Sequence, residues 1–368
     1  MARARISRGS VLVIVMVTLM FTTFALVMFI EQATSDLLVT SRDQVNRRLR
    51  RDAYSVLEAT LATLEEFRRA DGALHSPAEG WNDPLGFSGW TPRAGITAQV
   101  TLADESGKIS LAHVDSGMLA NLFKAWDLKQ PDAERLTDAI LGWIKRDYVP
   151  ISSRAPEYDQ GDLPFEAPAR PMRSFDELAA IDFVREKFFD EQGRPNDLWR
   201  RFVAAFSLYD YQQLNLNAVT SDVMAAVGFS DPSQYGKLRD FVGGTGGYSN
   251  IGPQWLSSTA QAGGVMGSAT MPANLGVQVR ALRVSVTVHE GRNEFRLSAV
   301  VAPAGGATIV KTTATSTKSA ASGTTTAAAA APTVAPTPPA PQLNYPFTLL
   351  EIKENGEIPT APPETPAA

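Results

Sequence analysis

The sequence predicts an α+β fold: a long N-terminal helix packed on a small antiparallel sheet, with an inserted α-helical domain. Three observations predict it. About sixty N-terminal residues read as one helix, apolar all round in its first half and amphipathic in its second. Alternating apolar residues at Ile96–Leu102, Arg280–Val288 and Phe295–Val301 mark strands that are far apart in the chain. Between them, from Val114 to about Val242, the apolar residues recur at helical steps.

The helix comes first. Arg3, Arg5 and Arg8 lead to Gly9-Ser10, and Val11 to Ile30 then run without a charge, a Gly or a Pro. About twenty helical residues at ~1.5 Å each span ~30 Å, the thickness of a bilayer's hydrocarbon core. The arginines hold the N-terminus on the cytoplasmic side, so the rest of the chain lies beyond the inner membrane of a bacterium. A secretory signal fits poorly, because Glu31-Gln32-Ala33-Thr34 lacks a small-x-small cleavage pattern. Two readings stay open. One is an uncleaved anchor. The other is a short basic leader, residues 1–9, cut after Gly9 so that the helix from Ser10 is retained. Past the membrane, Val45, Leu49, Ala53, Val56, Leu57, Leu61, Leu64 and Phe67 form one stripe among arginines and glutamates, and the helix ends before Asp71-Gly72. Its region is 10–70.

Composition narrows the function. The chain has 368 residues, a net charge of -5 and 44% hydrophobic content, enough for one or two cores outside the membrane. The acidic balance argues against nucleic acid as partner. With no Cys there is no disulfide framework, thiolate metal site or thiol nucleophile.

Beyond the helix, Gly72 to Gly95 is a Pro/Gly/Trp-rich loop. Ile96, Ala98, Val100 and Leu102 share a strand face, Asp104-Glu105-Ser106-Gly107 turns, and Lys108 to Leu111 is expected to return as a hairpin. A helix over Asp132–Ile144 presents Ala133, Leu136, Ile140, Trp143 and Ile144. Ser174-x-x-Glu177 is a capping-box pattern opening a helix through Phe188, and Leu198 to Phe206 is another helix. A weak repeat aligns Ile109–Ser116 with Leu214–Ser221, each an extended piece, a polar cap and an apolar helix. After Gly243–Gly247, strands return at Arg280–Val288 and Phe295–Val301, joined by a turn at Glu290-Gly291-Arg292-Asn293. The Ala/Thr/Ser/Pro stretch 304–342 cannot bury enough apolar surface and is expected to be disordered. Phe347, Leu349 and Glu351, or equally Leu350 and Ile352, face one way in a last strand. The expected regions after the helix are thus 71–112 for the first part of the sheet domain, 113–242 for the inserted helices, and 243–303 for the Gly-rich loop and hairpin. The insertion 304–342, the strand 343–354 and a disordered tail 355–368 complete the chain.

Four features carry a resemblance. They are Arg8-Gly9-Ser10 before the apolar helix, Asp104 to Leu111, Leu136 to Trp143, and Arg170 to Leu178 followed by Leu214-Asn215-Leu216-Asn217-Ala218. In order and spacing the chain resembles the type II secretion minor pseudopilin K family, the general secretion pathway protein K, over roughly residues 6–303. The resemblance implies a pilin-like fold, cleavage by prepilin peptidase between Gly9 and Ser10, and a non-enzymatic role. It implies assembly with the major pseudopilin and with I-like and J-like minor pseudopilins, at the tip of a periplasmic pseudopilus whose assembly they help to initiate. Most pilin-like proteins carry Glu at the fifth mature residue. Here that residue is Ile14, which removes a carboxylate that would be costly in lipid without a partner.

The resemblance also implies calcium in the helical domain, and Asp147, Glu157, Asp159 and Asp162 supply hard oxygen ligands in one loop. A solvated acidic loop is the plainer alternative, since no EF-hand spacing is present. Val227-Gly228-Phe229 resembles the turn of a helix-hairpin-helix unit. The alternative function is therefore a membrane-anchored DNA-uptake protein, against which stand the negative charge and Asp231. His75, His113 and His289 have no metal-ligand spacing, and Gly243–Gly247 lacks the Gly-Lys-Ser/Thr of a phosphate loop.

Overall fold

The computed structural model describes residues 8–152, 158, 166–229, 231–268, 270–310 and 346–356, with side chains from Leu12 onward. Helix α1 runs unbroken over Arg8–Asp71. From Leu12 to Ile30 every apolar side chain is exposed, as a helix dissolved in hydrocarbon would be. The hydroxyls of Thr18, Thr22, Thr23 and Thr34 donate back to carbonyls three or four residues earlier, which satisfies these four. In the second half Leu49, Ala53, Val56, Leu57, Leu61 and Leu64 are buried along one stripe.

That stripe covers a four-stranded antiparallel sheet in the order β1-β7-β8-β10, formed by β1 (Ile96–Asp104), β7 (Leu282–Glu290), β8 (Asn293–Pro303) and β10 (Phe347–Glu354). Val284, Val286 and Val288 of β7 and Leu297, Ala299 and Val301 of β8 face α1 in one core. The turn between β7 and β8 is two residues long, and Gly291 supplies the positive φ (61°) it needs. In β10 a bulge between Leu349 and Glu351 shifts the register. Phe347 is buried in the core with α1, and Leu350 in a separate cluster with Tyr209, Tyr211 and Val300. Leu349 and Ile352 are exposed, so neither of the two alternations open in the sequence describes the strand. The short helix α2 (Pro84–Ser88) and Trp81 close the side of α1.

The second core is helical. It contains α3 (Ser116–Ala125), α4 (Gln130–Ile144), α5 (Asp182–Phe188), α6 (Asp197–Ala205), α7 (Ser221–Ala226), α8 (Pro232–Gly243) and α9 (Thr259–Met266). Ala133, Leu136, Ile140, Trp143 and Ile144 are all buried in it. So are Leu256, Met266, Leu275 and Val277, so this core draws on the chain well past Gly247.

Three expectations are corrected. Ile109–Ser110 does not return along β1. As β2 it pairs parallel with β3 (Phe206–Ser207), because the turn Glu105–Gly107 directs the chain into the helical lobe and β7 takes the place beside β1. The helix expected from Ser174 is two pieces, a 3-10 helix at Phe175–Ala180 and then α5; Ser174 caps the first, while Glu177 bonds Arg170, Trp143 and the Arg173 N–H instead of closing a capping box. Third, the stretch expected to be disordered from 304 begins in order. Ala307 is buried and β9 (Thr308–Ile309) pairs with β4 (Tyr209–Asp210), for the Gly306 N–H bonds Pro303 and the Ala307 N–H bonds Arg280. The rest of the expected insertion, 311–342, and the tail from 357 lie outside the described residues.

Candidate functional site

Two places hold the chemistry. The first is the membrane half of α1. The backbone is helical through Gly9 and Ser10, so the expected cleavage point continues the same helix as the anchor. Ile14 is exposed on that helix, and the first carboxylate after it in the chain is Glu31.

The second is the joint where the sheet hands over to the helical lobe. Asp104 ends β1 and caps the following turn, accepting from the Ser106 N–H at 2.8 Å and from the Ser106 hydroxyl. Its other oxygen accepts from Asn215 Nδ2 at 2.6 Å. Asn215 belongs to β5 (Leu214–Asn215), which pairs parallel with β6 (Leu275–Gly276). The same amide donates to the His75 carbonyl, while its oxygen accepts from the backbone and side chain of Asn217. Asn217 in turn bonds the carbonyls of Leu256 and Val277 and accepts from the Leu256 N–H. Two buried asparagines thus tie the sheet's end, the loop after α1 and the helical lobe together. Burial pushes the Asp104 carboxyl up to about 6, against the donors from Ser106 and Asn215.

Beside it sits a charged cluster. Glu105 is buried and pairs with Arg283 at 2.6 Å and Lys108 at 2.9 Å. Burial alone would raise its carboxyl, but Lys108 and Arg283 outweigh that and hold it low. The Tyr211 hydroxyl donates to the carbonyls of Glu105 and Lys108, and the Tyr209 hydroxyl to Glu351 of β10. Gly107 lies against the Ala218 backbone, where an added Cβ would come within 2.4 Å of the carbonyl oxygen, so the two turns close only with Gly there. These groups are structural in geometry: each polar atom points at a protein partner.

The sequence showed Leu214-Asn215-Leu216-Asn217 as a motif without its purpose. Asn inside an apolar alternation, with Asn215 capping the next turn, was the available signal for a buried polar tie. Glu105 and Arg283 carried no such signal, being far apart in the chain. The internal repeat is visible as geometry. Each copy has a two-residue parallel pairing, β2 with β3 and β5 with β6, followed by a capped helix, α3 from Asp115 and α7 from Thr220, and α3 packs on α7. Gly228 turns α7 towards α8 with φ +98°.

Of the expected calcium ligands only Asp147 is described, and it is exposed; Glu157, Asp159 and Asp162 lie outside the described residues. Nearby Asp138 is occupied by the Tyr148 hydroxyl and the N–H groups of Ile151 and Ser152. Among the described residues no cluster of three metal-ligating side chains occurs.

Residues 100–191, from β1 through α5, match the family described as "Type II secretion system (T2SS), protein K". Among solved structures the chain is similar to one from the GspK-GspI-GspJ complex of the enterotoxigenic Escherichia coli type 2 secretion system. The TM-score is 0.51 at 14% identity, over 72% of this chain and 93% of that one, a likeness of fold. No curated protein matches in sequence.

Proposed function

We propose that the chain, whose residues 100–191 match the type II secretion system protein K family, is a member of that family, acts as the tip subunit of a periplasmic pseudopilus and helps to initiate its assembly. In this reading prepilin peptidase cuts between Gly9 and Ser10, and α1 stays as a single-pass inner-membrane anchor with the folded lobes in the periplasm. The partners are I-like and J-like minor pseudopilins and the major pseudopilin, and the chain carries out no reaction. The observation that supports it best is α1 itself: one helix with an exposed, uncharged half and a half that seals a sheet. Ile14 leaves the new N-terminus without a nearby carboxylate, so no subunit above would find a charge partner there. The helical lobe adds bulk that would obstruct stacking.

The test is N-terminal sequencing of the mature protein from cells with a working peptidase, beside secretion in a deletion strain. A chain beginning at Ser10 and a loss of secretion are expected. An intact leader, or secretion that proceeds without the chain, would overturn the reading. Calcium held through Asp147, Glu157, Asp159 and Asp162 is part of the same proposal. Calorimetry with Ca²⁺ checks it, and absence of both heat and a melting shift would remove it.

A further inference from the structure

The two copies of the internal repeat do not close completely on each other. Ile109 and Leu214 stand at equivalent places in the copies. Together with Met118 and Val227 they line a cleft of about 190 Å³. The copies differ one residue further on. The second has Asn215, buried and bonded to Asp104 and to the His75 carbonyl. The first has Ser110, which lines the cleft and donates its hydroxyl to the Tyr209 carbonyl at 2.7 Å. Its short side chain leaves room that an asparagine would take.

The rim selects what enters. Lys108 lies 2.9 Å from Glu105 and His113 lies 2.7 Å from Asp210, so each basic group at the mouth already faces a carboxylate of the chain. An incoming carboxylate would meet Glu105 and Asp210, and an incoming cation would meet Lys108. What the rim leaves unused are neutral amides. Gln212 is exposed and Asn274 half-buried at the mouth. Among the described residues neither side chain has a hydrogen-bond partner. A carboxamide offers donors and an acceptor, and a peptide group answers both. The volume is below the ~300–1,000 Å³ of cofactor and drug-sized sites. A cavity of about 150 Å³ takes up benzene, however, so one apolar side chain of that size fits.

We propose that this cleft is a binding site for an extended, uncharged segment of another polypeptide. One leucine-sized side chain enters between Ile109, Leu214, Met118 and Val227, and the neighbouring main-chain amides pair with Gln212 and Asn274. The site lies in the helical lobe and does not rest on the tip reading.

The experiment uses the full chain in lipid nanodiscs. The Met118 methyl resonance, assigned through Met118→Leu, is the reporter, and Ac-Gly-Gly-Leu-Gly-Gly-NH2 is the probe. A saturable shift at about millimolar peptide is expected, the affinity of one buried aliphatic side chain and two neutral hydrogen bonds. Replacing the probe's leucine with aspartate or lysine removes the shift. Val227→Trp fills the cleft and also removes it. Asn274→Leu and Gln212→Leu, which break no bond within the chain, each weaken binding about fivefold without moving the melt. The single residue Ac-Leu-NH2 binds more weakly than the pentapeptide, because it lacks the flanking amides. The proposal is overturned by the absence of a saturable shift, by equal shifts from the charged probes, or by a response unchanged in Val227→Trp and both rim variants. Ac-Leu-NH2 binding as tightly as the pentapeptide overturns it too, since the cleft would then take a small molecule rather than an extended chain.

Discussion

The sheet touches its two neighbours in opposite ways. Against α1 it presents an apolar surface, in which Leu49, Leu57, Leu61 and Leu64 meet Val284, Val286, Leu297 and Val301. On the side of the helical lobe it presents a small apolar patch, Val300, Ala302 and Leu350 against Tyr209 and Tyr211, and beside it the polar set Asp104, Glu105, Ser106 and Arg283, answered by Asn215, Asn217 and the hydroxyls of the same tyrosines. Apolar burial is strong and indifferent to direction; buried hydrogen bonds and ion pairs add little net stability but permit few arrangements. The first contact therefore holds the long helix to the sheet, and the second sets the angle at which the helical lobe is carried.

Four substitutions or titrations sharpen that contrast. Glu105→Ala leaves Arg283 buried without its carboxylate and is expected to cost about 3–5 kcal/mol, with the sheet and helical lobes losing their cooperative melt in calorimetry. Leu64→Ala opens a cavity in the apolar contact and costs about 3 kcal/mol, with no dependence on pH between 5 and 8. If the cost of Glu105→Ala failed to shrink below pH 5, where Glu105 takes up its proton, and so matched the flat response of Leu64→Ala, the distinction between the two contacts would fail.

Titration separates them further. The Asp104 carboxyl is raised from 3.8 to about 6 in the folded chain. The folded state then holds a proton that the unfolded state has released, so its contribution is fully present below about 4 and is lost as pH rises through 6. The full swing is about 3 kcal/mol. Glu105, held low, contributes in the opposite sense, losing stability as pH falls through its folded value. Comparing wild type with Asp104→Asn across pH 4 to 7 isolates the first effect. The variant gains on wild type as pH rises, and a constant difference would remove Asp104 from the account. The smallest effect is expected at the rim of the apolar contact, where Glu354→Gln releases exposed Arg50 and hardly moves the melt at high salt.

Much of this was legible in the sequence, for identifiable reasons. The stripe from Leu49 to Leu64, the alternation of Val284, Val286 and Val288, and the caps at Asp115 and Thr220 are local patterns, and local patterns are what periodicity reports. The partner of Ile109 was not legible, because Phe206 lies almost a hundred residues on and a two-residue pairing has no periodicity of its own. The start of order at Ala307 was hidden for a related reason. An alanine among glycines looks disordered until the Arg280 carbonyl and the Tyr209–Asp210 edge are placed beside it. For the site, Gly9, Ser10 and Ile14 could be named from the sequence, whereas the joint residues Glu105 and Arg283 meet only through the fold.

The strand order has a consequence for how the chain matures. Ile96 finds its neighbour in Glu290, and β8 receives β10 only after the long connection that follows Ile309. During synthesis, β1 therefore emerges as an orphan edge and waits until the whole helical lobe has followed it. Non-local pairing of this kind is slow and leaves sticky surface uncovered. A newborn chain of this design should depend heavily on chaperones, and premature stop codons anywhere before Phe347 should yield proteolysed fragments rather than a smaller working protein.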